Sequence, residues 1–252
     1  MNPASRLAFD GGLPSFWMTV GGVCSLRVLS IDTSTSAGSI LLSQDERVLG
    51  EVNIDSNQTH SSRLLSGIDY LLKSTGVELK DLDGLAVING PGSFTGLRIG
   101  LSVVKALAES SGKPVIPVTA FDAWAEKLHE HQGNIIPFLD ARRGEVYACG
   151  FQRCGRSLIE TIPATVDKPD RVLARIAVEE AWFAGEGALQ YCSLIHESSH
   201  PRWKVVETDW FLGRPLARLA FRRAQQQQFT SARDLQAFYI RKSDAELNWK
   251  EK

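Results

Sequence analysis

The chain has little of what usually identifies a metal site, a membrane protein or a free-standing nucleic-acid binder. Its four cysteines form no CxxC pair, and we expect no histidine close enough to complete a zinc site, which indicates reduced thiols. The net charge of -1 provides no general basic field for RNA, so an RNA contact would be local or shared with a partner. Because no apolar run approaches the length of a membrane span, we expect a cytoplasmic protein.

The first 25 residues differ in composition from the remainder. Asp10, Gly11, Gly12 and Pro14 interrupt the apolar residues before they reach the length of a signal sequence. The pattern predicts a disordered extension at 1–25. Met18 is an alternative natural start to Met1.

The first half of the sequence reads as three strands, a helix, a strand and a second helix. The first strand ends on Asp32, and a hydroxyl-rich turn follows it. Together the three strands form a predicted antiparallel meander. The predicted elements are strands at 26–31, 37–43 and 47–53, a helix at 59–75, a strand at 84–88, and a helix from Ser93 to a stop at 112–114.

The same order of elements returns in the second half. A strand at 134–139 ends on Asp140, which occupies the place that Asp32 has in the first half. The pattern therefore predicts a duplicated α/β unit, with one subdomain at 26–112 plus about 215–252 and the other at 113–214. The loop around Gln132-Gly133 is an alternative boundary. The other predicted elements are a strand at 114–118, a helix at 121–131, strands at 145–152 and 157–161, a helix at 169–176, strands at 181–184 and 203–206, and a helix at 215–227.

The stretch from Asn89 to Leu101 is the most distinctive in the chain. It predicts a strand, a tight glycine turn and a helix capped by Ser93, which presents free backbone N–H groups. Anion binding is one interpretation, although Leu97 stands where a Walker A loop needs lysine. The other interpretation rests on Gly96 and Gly100, which lie one turn apart and let another body approach closely. We favour packing or partner contact over phosphate binding.

Four motifs resemble one family of proteins. They are IDTS at 31–34, NGPGSFTGLRIG at 89–100, DARRGEVY at 140–147 and YIRKSDAE at 239–246. Together they resemble the bacterial tRNA threonylcarbamoyladenosine biosynthesis proteins of the TsaB (YeaZ) family, over about residues 26–246. The resemblance implies an actin-like ATPase fold, with two RNase H-like subdomains.

The resemblance also implies a function as a non-catalytic subunit. TsaB-type proteins pair with TsaD, which places a threonylcarbamoyl group on the adenosine next to the anticodon of tRNAs reading codons that start with A. TsaE, an ATPase, joins them, and TsaC supplies the adenylate. This subunit would contact tRNA only as part of the complex. We expect no cofactor to be required by this subunit, with ATP or ADP at the complex interface as an option.

The residues support a non-catalytic subunit, because paired histidines for a TsaD-like metal site are absent: His60 is followed at i+4 by Leu64. Asp32, Thr33 and Ser34 stand where actin-like ATPases hold a magnesium-bound phosphate, but these residue types also simply cap turns. The expected partner interface lies on the helices at 59–75 and 93–110. Its residues are His60, Arg63, Leu64, Ile68, Leu71, Phe94, Gly96, Leu97, Gly100, Leu101 and Val104.

Two alternatives stay open at this point. One is an enzyme in its own right, either an actin-like phosphotransferase or a metallopeptidase. The other is a homodimer that uses the same helices when TsaD is absent.

Overall fold

The computed structural model describes residues 25–55, 63–198 and 200–241. The first part of the chain builds a five-stranded sheet in the order β3-β2-β1-β4-β5. The first three strands are antiparallel, and β4 and β5 extend the sheet in parallel with β1. The strands are β1 (Arg27–Asp32), β2 (Ala37–Gln44), β3 (Arg47–Asp55), β4 (Gly84–Gly90) and β5 (Val115–Thr119).

The second sheet repeats this arrangement, with the order β10-β9-β6-β7-β8. Again three strands are antiparallel, and two further strands run parallel to the first of them. The predicted duplication is therefore confirmed. The strands are β6 (Gly133–Asp140), β7 (Val146–Cys154), β8 (Ser157–Asp167), β9 (Glu180–Ala184) and β10 (Arg202–Val205).

Seven α-helices connect and cover these sheets in the described part of the chain, and a short 3-10 helix (Leu79–Asp81) precedes β4. Glycine ends the first two helices in the left-handed conformation, at Gly76 and Gly112. The helices are α1 (Leu64–Thr75), α2 (Phe94–Ser111), α3 (Ala120–Lys127), α4 (Pro169–Ala174), α5 (Glu186–Gln190), α6 (Cys192–His196) and α7 (Gly213–Gln225).

The first sheet is buried on both faces, as its apolar strands require. Leu29 and Ile31 of β1 pack in one core with buried residues of α1 and α2. Val28 points the other way, into a core shared with α3, α7 and part of the second sheet. Successive residues of a strand point to opposite faces, so β1 holds these two helical layers apart.

Several predicted boundaries differ from the structure. β5 pairs with β4, so the second sheet begins at Gly133, close to the alternative boundary, and not after residue 112. α3 ends at Lys127, before the predicted end at His131. The segment between the predicted strands at 181–184 and 203–206, for which no helix was predicted, contains α5 and α6, with His196 at the end of α6. The extension at 1–24 and the motif residues 242–246 lie outside the described residues.

Within the described ranges, no helix is both long and apolar enough to span a bilayer.

The described core gives a direct stability prediction at Leu85, which is fully buried in β4. Leu85→Ala should lower the free energy of unfolding by about 2–5 kcal/mol, because it removes buried methyl groups and leaves a cavity. Leu65→Ala is the control, since Leu65 is exposed on α1. Urea denaturation measures both variants, and equal losses would contradict the assignment of the core.

Candidate partner and nucleotide sites

Each sheet carries an aspartate-capped turn at the end of its first strand. In the first half, Asp32 is buried and its Oδ1 accepts a hydrogen bond of 2.8 Å from the Ser34 backbone N–H. In the second half, Asp140 Oδ1 accepts one of 2.8 Å from the Arg142 backbone N–H. The two aspartates are therefore equivalent, and each organises its own turn.

The glycine-rich start of α2 packs directly on the first of these turns. The Ser93 N–H donates to the Ser34 carbonyl at 2.6 Å, and the Thr33 hydroxyl donates to the Gly96 carbonyl at 2.8 Å. A Cβ on Gly96 would overlap the backbone oxygen of Thr33, and one on Gly100 would overlap the Thr33 hydroxyl. Only glycine fits at these two positions with the helix in place.

This contact corrects the interpretation of the two glycines as part of a partner surface. The body that approaches Gly96 and Gly100 is the chain's own Thr33, and both glycines are buried. Leu97 is buried as well. A bulky residue at Gly100 or a charge at Leu97 would therefore disturb the folded chain itself and could not isolate the loss of a partner.

The turn at Asp32 is closely packed in the described part of the chain. A cavity of about 20 Å³ adjoins Asp32 and Thr33, which is about the room that one water molecule needs. The Thr33 hydroxyl is committed to Gly96, and Asp32 is hydrogen-bonded to the backbone of Ser34. The start of α2 therefore packs directly on the residues expected to hold a magnesium-bound phosphate.

A third carboxyl group, that of Glu186, lies near the two turns. Burial raises the pKa of Glu186, and the negative charges of Asp32 and Asp140 raise it further. The exposed Arg142 opposes this effect and forms an ion pair with Asp140 at 3.1 Å. The raised pKa favours the protonated form of Glu186 beside the two aspartates.

The structure also corrects which side chains of α1 and α2 can face a partner. Leu64, Ile68, Leu71, Leu101 and Val104 are all buried in the chain's own core. Phe94 is exposed, Arg63 is half-buried, and His60 lies outside the described residues.

Other apolar side chains of the two helices do reach the surface. Leu65 and Tyr70 of α1 are 57% and 65% exposed, and they flank the polar outer side of the helix, which carries Asp69 and Lys73. Ile99, Val103 and Leu107 form a half-buried row along α2. The sequence places Val103 and Leu107 on the same side of α2 as Gly96 and Gly100, but the expected interface left these five side chains out because it assigned the core-facing residues of each helix to the partner.

The tail of the chain adds aromatic side chains next to the glycine stretch. The Phe238 N–H donates to the Asn89 carbonyl at 2.7 Å, which pairs the tail with the end of β4. The ring of Tyr239 lies 5.4 Å from that of Phe94, over which the Arg98 guanidinium sits at 3.8 Å. This group is an exposed continuation of the α2 surface.

Histidine and cysteine come closer together than the sequence suggested. Cys192 Sγ lies 3.4 Å from His196 Nδ1 across one turn of α6. Two ligands do not complete a structural metal site, and the described residues contain no group of three or more His, Cys, Asp or Glu suited to hold an ion.

The fold and these turns define a member of the actin-like ATPase fold class, with two lobes that each carry an aspartate at the end of the first strand. A family model described as TsaD, tRNA N6-adenosine threonylcarbamoyltransferase, matches residues 40–220. The TsaB protein of Haemophilus influenzae is 30% identical over 242 residues, which is 90% of this chain and 97% of that protein.

Two further comparisons agree with this. The TsaB protein of Escherichia coli is 35% identical over 130 residues, covering 51% of this chain and 56% of that protein. A Pseudomonas aeruginosa crystal structure, described as similar to peptidase YeaZ, has a TM-score of 0.74 and 26% identity, covering 86% of this chain and 100% of that one. The chain belongs to the TsaB family of tRNA threonylcarbamoyladenosine biosynthesis proteins.

The packing at Thr33 predicts a specific sensitivity at Gly96. Although alanine has the better helix propensity by about 1 kcal/mol, its Cβ would overlap backbone, so Gly96→Ala should destabilise the protein by about 1–3 kcal/mol. Ser102→Ala on the exposed side of α2 should be nearly neutral. Chemical denaturation tests both, and a Gly96→Ala protein as stable as the wild type would show that α2 does not contact the turn.

Proposed function

We propose that this chain is a non-catalytic partner subunit of a TsaD-type enzyme that forms N6-threonylcarbamoyladenosine in tRNA. The observation that carries the proposal is the packing of α2 on the first turn, where Thr33 and Ser34 are hydrogen-bonded to the start of the helix, and we infer that this packing takes room that an actin-like ATPase would need for its phosphate. Similarity to TsaB of Haemophilus influenzae along nearly its whole length supports the pathway.

The contact with TsaD would use the exposed sides of α1 and α2. Leu65 and Tyr70 are exposed apolar side chains of α1, and a contact with TsaD would bury them. The half-buried row at Ile99, Val103 and Leu107 would pack against matching helices of the partner, ridge into groove. Without TsaD, the same surface would support a homodimer.

The remaining parts of the proposal concern the larger assembly. TsaE would join this chain and TsaD, and this chain and TsaE together would activate TsaD. TsaC would supply the threonylcarbamoyl adenylate. We propose that this subunit requires no cofactor of its own and that ATP or ADP binds, if at all, where it meets its partners. The complex as a whole would bind the tRNA and modify the adenosine next to its anticodon. We propose that this takes place in the cytoplasm.

Reconstitution tests the function as a whole. Purified TsaC, TsaD and TsaE are incubated with unmodified tRNA, threonine, bicarbonate and ATP, with and without this chain, and modified adenosine is measured by mass spectrometry. We expect modification only when the chain is present. Full modification without it would overturn the proposal, and ATP turnover by the isolated chain would favour the phosphotransferase instead.

The interface prediction uses two leucine-sized positions of equal exposure. Leu65→Asp should abolish co-purification with TsaD, because it places a charge in an apolar contact, and the monomer should keep its melting temperature because Leu65 is 57% exposed. Ile159→Asp, at 58% exposure on β8 of the second lobe, should leave binding unchanged. If the Leu65→Asp protein binds TsaD as tightly as the wild type, this face of α1 is not the interface.

A further inference from the structure

A cavity of about 380 Å³ lies in the second lobe, between α4 and the face of the sheet that this helix covers. Small-molecule sites in proteins span about 300–1,000 Å³, and an engineered apolar cavity of roughly 150 Å³ already binds benzene. The cavity that adjoins Asp32 has only about 20 Å³ by comparison. The cavity under α4, called the α4 cavity below, therefore has room for an organic molecule.

The α4 cavity follows from small residues of β7. Ala148 and Gly150 are two apart on this strand, so both face the side of the sheet on which α4 lies. Ile162 of β8 lies across Gly150, where an added Cβ would be 2.7 Å from the isoleucine side chain. The register between the two strands also shifts next to Gly150, which makes the ladder irregular here. Small side chains and an irregular ladder under a helix of six residues leave space between the two layers.

The inner wall of the α4 cavity is apolar. It consists of residues that are at most 3% exposed and belong to the core of the second lobe, namely Ile136, Ala148, Val172 and Ile176. An apolar molecule that entered the cavity would gain dispersion contacts with these side chains and would lose its own contact with water. The inner wall therefore selects for an apolar ligand.

Arg175 brings a positive charge to the outer end of the α4 cavity. It lines the cavity with a side chain that is 56% exposed, and its Nη2 donates to Asp167 Oδ2. Arg171 lies 3.6 Å from the other oxygen of Asp167, so one carboxylate serves two guanidinium groups. Including Lys168 and Asp170, this rim carries three cations and two carboxylates. Because a guanidinium has five N–H donors, Arg175 can accept a second anion from the solvent side.

We propose that the α4 cavity binds a small carboxylate with an apolar body, the chemical class of the medium-chain fatty acids. The apolar body would lie against the inner wall, and the carboxylate would pair with Arg175 at the rim, since guanidinium and carboxylate match in geometry. The proposal is independent of the function in tRNA modification, because the cavity lies between α4 and the second sheet and not on the exposed sides of α1 and α2.

Isothermal titration calorimetry of the full chain with octanoate tests the site. We expect one octanoate to bind per chain, with a negative heat-capacity change because apolar surface is buried. Arg175→Gln should weaken octanoate binding by about two- to fivefold, the usual range for a half-exposed ion pair, and should leave the binding of 1-octanol unchanged. Arg171→Gln is the control, because Arg171 also contacts Asp167 but does not line the cavity.

A wild-type chain that does not bind octanoate would overturn the proposal. Octanoate affinity that is the same in the wild type and in the Arg175→Gln protein would overturn the proposed ligand class.

Two threonines of β8 locate the binding. Thr165 lines the α4 cavity opposite Ala148, so Thr165→Leu should fill part of the space and weaken octanoate binding by about tenfold or more. Thr161→Leu, at an exposed position of the same strand, should leave the affinity unchanged. Thermal unfolding checks that both variants fold, and Ala148→Val is the filling variant to use if Thr165→Leu lowers the melting temperature.

Equal octanoate affinities in a folded filling variant and in the Thr161→Leu protein would overturn the assignment to the α4 cavity. Sedimentation covers the other occupant, a second copy of the chain. A wild-type dimer that the filling variant dissociates would place that copy in the cavity and overturn the small-molecule proposal.

Discussion

The close approach of α2 to the turn after β1 is the constraint on which the first lobe depends. The helix can reach Thr33 only because Gly96 and Gly100 have no side chain, and the hydrogen bonds from Thr33 and Ser93 fix its position once it is there. This single contact sets which side of α2 joins the core and which reaches solvent.

In the second lobe a shorter helix, α5, also packs through glycines against the first strand of its sheet. After β9, which corresponds to β4, Gly185 and Gly187 bring the start of α5 against the end of β6. A Cβ on Gly187 would lie 2.9 Å from the Phe138 carbonyl oxygen, and Gly185 has a φ of 110° that favours glycine. The duplication therefore extends beyond strand order to the way each half brings a helix onto its first strand.

The sequence predicted the strands and the duplication well, because apolar runs that end on Asp32 and Asp140 carry their own local signals. It could not predict what packs against Gly96. Glycines on one face of a helix give the same sequence pattern whether a turn of the same chain or another subunit packs against them. Leu64 and Leu65 illustrate this: they are adjacent and chemically identical, yet one is buried and the other exposed. The ion pair of Glu126 with Arg153 was equally hidden, because Arg153 lies on β7, far from Glu126 in sequence.

The position of α7 has a consequence for the order in which the protein is made. This helix is close to the end of the chain, yet it covers β1, β2, β4 and β5, which are the earliest strands, and supplies Leu216 and Ala220 to their core. While the ribosome is still adding the second lobe, that face of the first sheet has no α7 to cover it. The nascent chain must therefore carry an uncovered apolar surface until about residue 225 has emerged, which is the situation in which chaperones bind.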